Sequence, residues 1–213
     1  MGVIFVIFII ILISGFLIWL IISTQKKSED SKSRDVKPLI TVPCKDGFIK
    51  GYYVKGGLFK GRKYVSNRLA FEGTFFNGIQ TGQGKAYYRN RQLKYEGNFE
   101  NDYPSGQGVL YDESGQLKYL GHFANGYASG QGRLYDDHGN LKIEGHFARM
   151  PGNDESMKDP SVPSGLCKEY YENGQLKYEG EFNNGIWQGQ GKYYDKNGIL
   201  LYKGKYFNGA PDK

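Results

Sequence analysis

"LKYEGNFEND" occupies residues 93–102, and "LKYEGEFNNG" returns at 176–185, with "LKYLGHFANG" at 117–126 and "LKIEGHFARM" at 141–150. A ten-residue phrase used four times announces a repeat architecture, and its period decides the fold. The glycine of each phrase serves as a marker. Gly73, Gly97, Gly121 and Gly145 stand 24 residues apart, Gly180 follows after 35, and Gly204 after a further 24. The long step is 24 plus an eleven-residue insertion within "MPGNDESMKDPSVP". "IKGYYVKG" at 49–56 reads as a worn leading copy. The expected organisation is a degenerate leading repeat over 38–70 and a repeat array over 71–213, with its insertion near 150–163.

Numbering the opening aromatic of each unit as position 1, the aromatic at 1, Gly at 3 and Phe at 5 share parity with Leu at −1. On a strand these residues lie on one face, and Lys at 0, Glu at 2 and a polar residue at 4 lie on the other. Asn-Gly follows at 77, 125, 184 and 208, and Asn-Gly between alternating runs is a strong hairpin marker. A second strand leads to Tyr87, Tyr111, Tyr135, Tyr170 or Tyr194, and "DESG", "DDHG", "YENG" or "DKNG" turns the chain back. One unit is a β-hairpin plus a return turn. The glycine at position 3 leaves a gap between two rings, into which aromatic side chains can lie flat against the backbone; relief of backbone strain is the alternative reason for it.

The unit "YEGEFNNGIWQGQGKYYDKNG" (178–198) resembles the MORN repeat, and "NGQLKYEG" resembles the variant found in bacterial antitoxin-like MORN proteins. The resemblance covers about three quarters of the chain. It implies an all-β fold, an elongated single-layer antiparallel meander of hairpins, and a non-enzymatic role in binding proteins or lipids. Asp102 and Met150 stand where the turn glycine is expected, and Cys167 replaces the second glycine of "GQG". The unit marked by Gly145 is therefore the least regular, and a break in the sheet is expected at its loop.

Composition agrees with strands and turns. The chain has 213 residues with 31 Gly, 18 Tyr and 13 Phe, and only 7 Pro, too aromatic for a disordered chain and too rich in glycine for a helical one. Val3 to Ile22 is an uncharged run of twenty residues, long enough as a helix to cross a bilayer. It predicts one N-terminal transmembrane helix (anchor 1–23), with Trp19 at an interface. No Lys or Arg precedes the run and no small-x-small site follows it, which argues against a cleaved signal peptide. Cys44 lies too far beyond it for a lipoprotein, and Val6 stands where myristoylation needs Ser or Thr. Residues 24–37 read as a charged flexible spacer. Its Lys26, Lys27, Lys32, Arg34 and Lys37 predict a single-pass protein of the inner, cytoplasmic membrane with the repeats in the cytoplasm. There Cys44 and Cys167 are expected reduced.

The net charge of +6 divides into +2 for the spacer (five basic, three acidic) and +4 for the rest (23 basic, 19 acidic). That mixed balance does not indicate nucleic acid. "GQGK" at 82–85 and 189–192 lacks the Ser/Thr and helix of a phosphate loop and recurs with the repeat. His122 and His146 share position 4 in adjacent hairpins, two strands or roughly 9.5 Å apart, too far to share a metal at about 2 Å each. No serine has the setting of a nucleophile. The expectation is therefore no enzyme, no cofactor, no metal and no small-molecule substrate.

One candidate surface emerges. Ile79, Tyr103, Tyr127, Ile186 and Trp187, just after the Asn-Gly turns, are expected to stack along one edge as a partner-binding row; the alternative is that they fold back to cap the aromatic face. Two functions stay open. One is a protein-interaction module, an antitoxin-like protein neutralising a toxin or effector. The other is an organiser of lipid surfaces. In either, the membrane is reached through residues 3–22.

Overall fold

The computed structural model describes residues 9–13, 16–20, 37–149 and 161–212. Strands β1 (Ile9–Ile13) and β2 (Phe16–Leu20) pair antiparallel. The remaining strands are β3 (Ile40–Cys44), β4 (Gly47–Tyr53), β5 (Leu58–Val65), β6 (Arg68–Phe76), β7 (Ile79–Tyr87), β8 (Leu93–Glu100), β9 (Tyr103–Tyr111), β10 (Leu117–Ala124), β11 (Tyr127–Tyr135), β12 (Leu141–Arg149), β13 (Ser161–Tyr170), β14 (Leu176–Asn183), β15 (Ile186–Tyr194), β16 (Leu200–Phe207) and β17 (Ala210–Pro211). They form one open fifteen-stranded sheet in chain order, each strand antiparallel to the next.

The turns explain why the chain meanders. Asn77, Asn125, Asn184 and Asn208 have φ of 47–50°, and Gly78, Gly126, Gly185 and Gly209 have φ of 82–86°. Two consecutive left-handed residues make the turn whose twist matches the flanking strands. Asp102 is no defect in this scheme. It takes the glycine's place at φ 69°, and its Oδ1 accepts a hydrogen bond from the Gln80 amide at 2.8 Å. Return turns are closed by side chains: Asp112, Asp136 and Asp195 each accept two backbone N–H bonds from residues two and four further on.

The core is one face of the sheet. Tyr95, Phe99, Tyr119, Phe123, Phe147, Tyr178, Phe182 and their counterparts are buried there. Rings at positions 1 and 5 meet edge-to-face within a unit and across to the next, as in Tyr95–Phe99 at 5.0 Å and Tyr95–Phe123 at 4.9 Å. The position-3 glycine makes this possible. A Cβ on Gly97 would lie 2.6 Å from Tyr95 Oη, so the ring of position 1 lies across its own strand's glycine and reaches Gly108 of the next strand.

Three expectations need correction. The apolar run does not appear as a transmembrane helix where it is described: Ile9–Ile13 and Phe16–Leu20 are paired strands, and no helix among the described residues is long and apolar enough to cross a membrane. Isoleucine is β-branched and Ser-Gly separates the two stretches in sequence, both of which favour a hairpin. The spacer 24–37, save Lys37, and the insertion residues 150–160 lie outside the described residues. The sheet is not broken at the insertion, because β12 pairs with β13 from Arg149↔Ser161 to Ile143↔Glu169. Finally, Lys at position 0 does not share the face of Glu at 2. A bulge between positions −1 and 1, as between Leu117 and Tyr119, turns it toward the aromatic face, where Lys177 lies over Trp187 at 5.4 Å.

Candidate functional site

The face opposite the rings carries one straight row of side chains across the sheet. Register links Arg62, Glu72, Lys85, Glu96, Val109, Leu120, Arg133, Glu144, Lys168, Glu179, Lys192 and Lys203, one per strand from β5 to β16. Base and acid alternate along most of it, and neighbours pair. Arg62–Glu72 and Lys85–Glu96 close at 3.0 Å, Arg133–Glu144 at 3.4 Å, and Lys168–Glu144 at 3.8 Å. Lys192 donates to Glu179. Two of the tyrosines that end second strands join in: Tyr170 donates to Glu144 at 2.7 Å and Tyr194 to Glu179 at 3.2 Å.

These contacts hold the charges in place. The hydrogen bond from Tyr170, aided by Lys168 and Arg133, keeps Glu144 below the usual carboxylate range. Lys192 and Tyr194 do the same for Glu179. Groups fixed in their ionised forms recognise charge; proton transfer calls for a pKa brought near neutrality.

The alternation fails in two places. Val109 and Leu120 face each other where an ion pair would stand. Lys203 faces Lys192, whose carboxylate partner is Glu179. Two residues along β13 from Lys168, Leu166 stands 72% exposed, where the other hairpins carry Gln83, Gln107, Gln131 and Gln190. Leu120, Leu166 and Lys203 line one open groove of about 760 Å³ that runs across β9–β16. Its floor is the double row of glycines (Gly121, Gly132, Gly145, Gly180, Gly191) whose other side carries the rings.

The five residues singled out in the sequence divide between the faces. Ile79, Tyr103 and Ile186 are exposed on the groove's face along the turn edge. Tyr127 shares their position but is half-buried, beneath the Arg149 guanidinium at 4.1 Å. Trp187 lies on the aromatic face. It stacks on Tyr178 at 4.4 Å with the rings nearly parallel, and its Nε1 donates to Glu169 Oε2 at 2.9 Å. Strand periodicity separates Ile186 from Trp187, because adjacent residues point to opposite faces. In a two-residue hairpin, position 10 pairs with position 5, as Trp187 does with Phe182. The groove itself has no local sequence marker, since its lining comes together only through register.

The GQG segments are bulges, not ligand loops. Gly82, Gly106, Gly130, Gly165 and Gly189 all have φ of 64–82°, the left-handed conformation a bulge requires. His122 and His146 remain at position 4, and no group of three His, Cys, Asp or Glu among the described residues could hold a metal ion.

Comparison with known families agrees with this geometry. The model described as "MORN repeat" matches residues 71–92, 95–116, 119–140 and 178–199, and that described as "MORN repeat variant" matches 163–184. The chain thus carries MORN repeats. No curated protein matches it.

Proposed function

We propose that this MORN-repeat chain is a non-enzymatic protein-interaction module, tethered to a membrane through residues 3–22, and that the groove of the polar face is its binding surface. The observation that carries the reading is the exposure of Leu120 and Leu166 in a groove that also holds the paired charges of Arg133, Glu144, Glu179 and Lys192. Exposed aliphatic side chains in a concave surface favour a protein partner. An antitoxin-like role is one form of this activity, in which the groove covers a toxin or effector.

Organisation of lipid surfaces is the second reading. The basic segment after the apolar run favours it, because cations beside an anionic leaflet attract it. The ion pairs of the row weigh against it, since a cation already held by a carboxylate offers little to a headgroup. Membrane attachment rests on the uncharged, apolar composition of residues 3–22, and the cytoplasmic placement of the repeats on the lysines and arginine that follow it.

The test uses the full chain in living cells with a photo-crosslinking amino acid at position 166. A discrete protein adduct supports the module. Adducts to phospholipid alone support the lipid reading, and the absence of any adduct removes both. A phosphatase fused after Lys213 tests orientation: activity requires an oxidising compartment, so an active fusion would overturn the cytoplasmic placement.

A further inference from the structure

We infer that the groove's partner is an acidic protein segment bearing aliphatic side chains, aligned across the strands with its apolar part on Leu120 and Leu166 and its carboxylates on Lys203. This rests on the protein-binding reading above and specifies its chemistry.

The repeat supplies its own reference. At position 2 the units carry Glu72, Glu96, Leu120, Glu144, Glu179 and Lys203, and the "GQG" glutamine becomes Leu166 in β13. Leu120 has only Val109, itself a departure from the base of the other units, as an apolar cross-strand neighbour, and neither Lys203 nor Leu166 helps the fold. A glutamate in place of Leu120 would meet Arg133, its register partner, as Glu144 meets it from the other side. A glutamate in place of Lys203 would meet Lys192, whereas two lysines directly opposite each other repel. Leu166 is exposed and gains little from burial. Departures unexplained by packing, gathered in one groove, fit a bound partner.

Charge gives the partner's sign. The ionisable side chains lining the groove are Arg133, Lys168, Lys192 and Lys203 against Glu144 and Glu179, four positive less two negative, or +2. Lys203 has no ion-pair partner among the described residues. The register gives the partner's length. Leu120 and Lys203 are six strand steps apart, roughly 29 Å at ~4.8 Å per step, with Leu166 about midway; an extended segment of about nine residues covers that span at ~3.3 Å each.

The test measures fluorescence anisotropy of a labelled, capped peptide with two leucines toward one end and glutamates toward the other, in both sequence orders, about twelve residues long to cover the span. A second peptide replaces glutamate by lysine. The full chain is held in nanodiscs of neutral lipid. We expect the acidic peptide to bind and the lysine peptide not to. Affinity should fall about tenfold in Lys203→Glu and again in Leu120→Glu/Leu166→Gln, as loss of a hot-spot contact does. Each substitution restores the residue of the other repeats, so the melting temperature should hold or rise, separating lost binding from lost folding. No binding of the acidic peptide, equal binding of the lysine peptide, or unchanged affinity in the repeat-restored chains would overturn the inference. So would anionic phosphatidylglycerol vesicles bound through the same three residues. A protein adduct at position 166 alongside a failed acidic peptide would leave the groove as a protein site and remove only this partner chemistry.

Discussion

Ile143 on β12 and Cys167 on β13, two residues out of register with each other because Ile143 faces Glu169 and Cys167 faces Gly145, together replace a tyrosine. In the hairpins of Tyr95, Tyr119 and Tyr178, the hydroxyl lies 2.6–2.8 Å from where the position-3 glycine's Cβ would be. It donates to the carbonyl of position 4 at 3.1–3.3 Å. In the hairpin of Ile143 that place is held by Cys167 Sγ, 2.8 Å from the corresponding point on Gly145 and donating to the His146 carbonyl at 3.2 Å. The isoleucine is shorter than a tyrosine, and the cysteine grows from the glycine position the ring would have covered.

This pairing predicts strong coupling in a double-mutant cycle. Cys167→Gly alone opens a cavity beside Ile143 and should cost about 1–2 kcal/mol. Ile143→Tyr alone drives a ring into Cys167 and should cost about 1–3 kcal/mol. The double variant rebuilds the arrangement of the other hairpins and should lie within about 0.5 kcal/mol of the parent, a coupling well above that of independent sites. Denaturant melts of the full chain check this; additive losses would show that the two residues do not share one volume.

Trp187 is predicted to act on stability and not on recognition. It covers Tyr178, meets Tyr206 edge-to-face at 5.7 Å, and satisfies Glu169 on the face away from the groove. Trp187→Ala should cost about 2 kcal/mol, less than a fully buried tryptophan because the ring is half-exposed. Trp187→Phe should recover part of this but leave one carboxylate hydrogen bond unmade. Peptide affinity of the folded variant should match the parent. A large loss of affinity with an unchanged melt would instead return Trp187 to the binding surface.

The hairpin period was fully legible because Asn-Gly turns and the 1, 3, 5 parity are local properties. Lys177 misled because a bulged residue takes the face that strand parity denies it, and position 0 carries no sequence mark of a bulge. Trp187 was legible in principle from the 5↔10 pairing. The N-terminal run was ambiguous because twenty apolar residues satisfy a membrane helix, while its isoleucines and Ser14-Gly15 equally suit a hairpin. The groove was hidden for a different reason. Leu120, Leu166 and Lys203 are far apart in sequence, and each departs from its repeat unremarkably until register puts them in one surface.

Two turns make opposite predictions for the same substitution. Arg91 holds φ 73° in its return turn where the other units place glycine, as Gly115 and Gly139 do. Arg91→Gly should stabilise the chain by about 1 kcal/mol through relief of that conformation. Asp102 also has positive φ, but its carboxylate serves the Gln80 amide. Asp102→Gly, although it restores the repeat's Asn-Gly, should gain nothing and lose up to about 1 kcal/mol with that bond. Thermal melts of the two variants should move in opposite directions.

The buried tyrosines predict a fold that fails on the alkaline side. Burial pushes Tyr119 up to about 12, and Tyr95 and Tyr178 are raised by the same desolvation, from an unfolded value near 10. Each hydroxyl is neutral when protonated, so the unfolded chain releases its proton first as pH rises. The contribution is whole below about pH 10 and is lost progressively between about 10 and 12. Absorbance of tyrosinate across the 18 tyrosines should therefore rise in two stages: exposed rings first, then the core rings together with the loss of the β spectrum. Tyr119→Phe and Tyr178→Phe should shrink the second stage and shift it to higher pH. A single reversible titration near pH 10 with the sheet intact would mean that the rings reach water without unfolding, and that the aromatic face is open where it is described as closed.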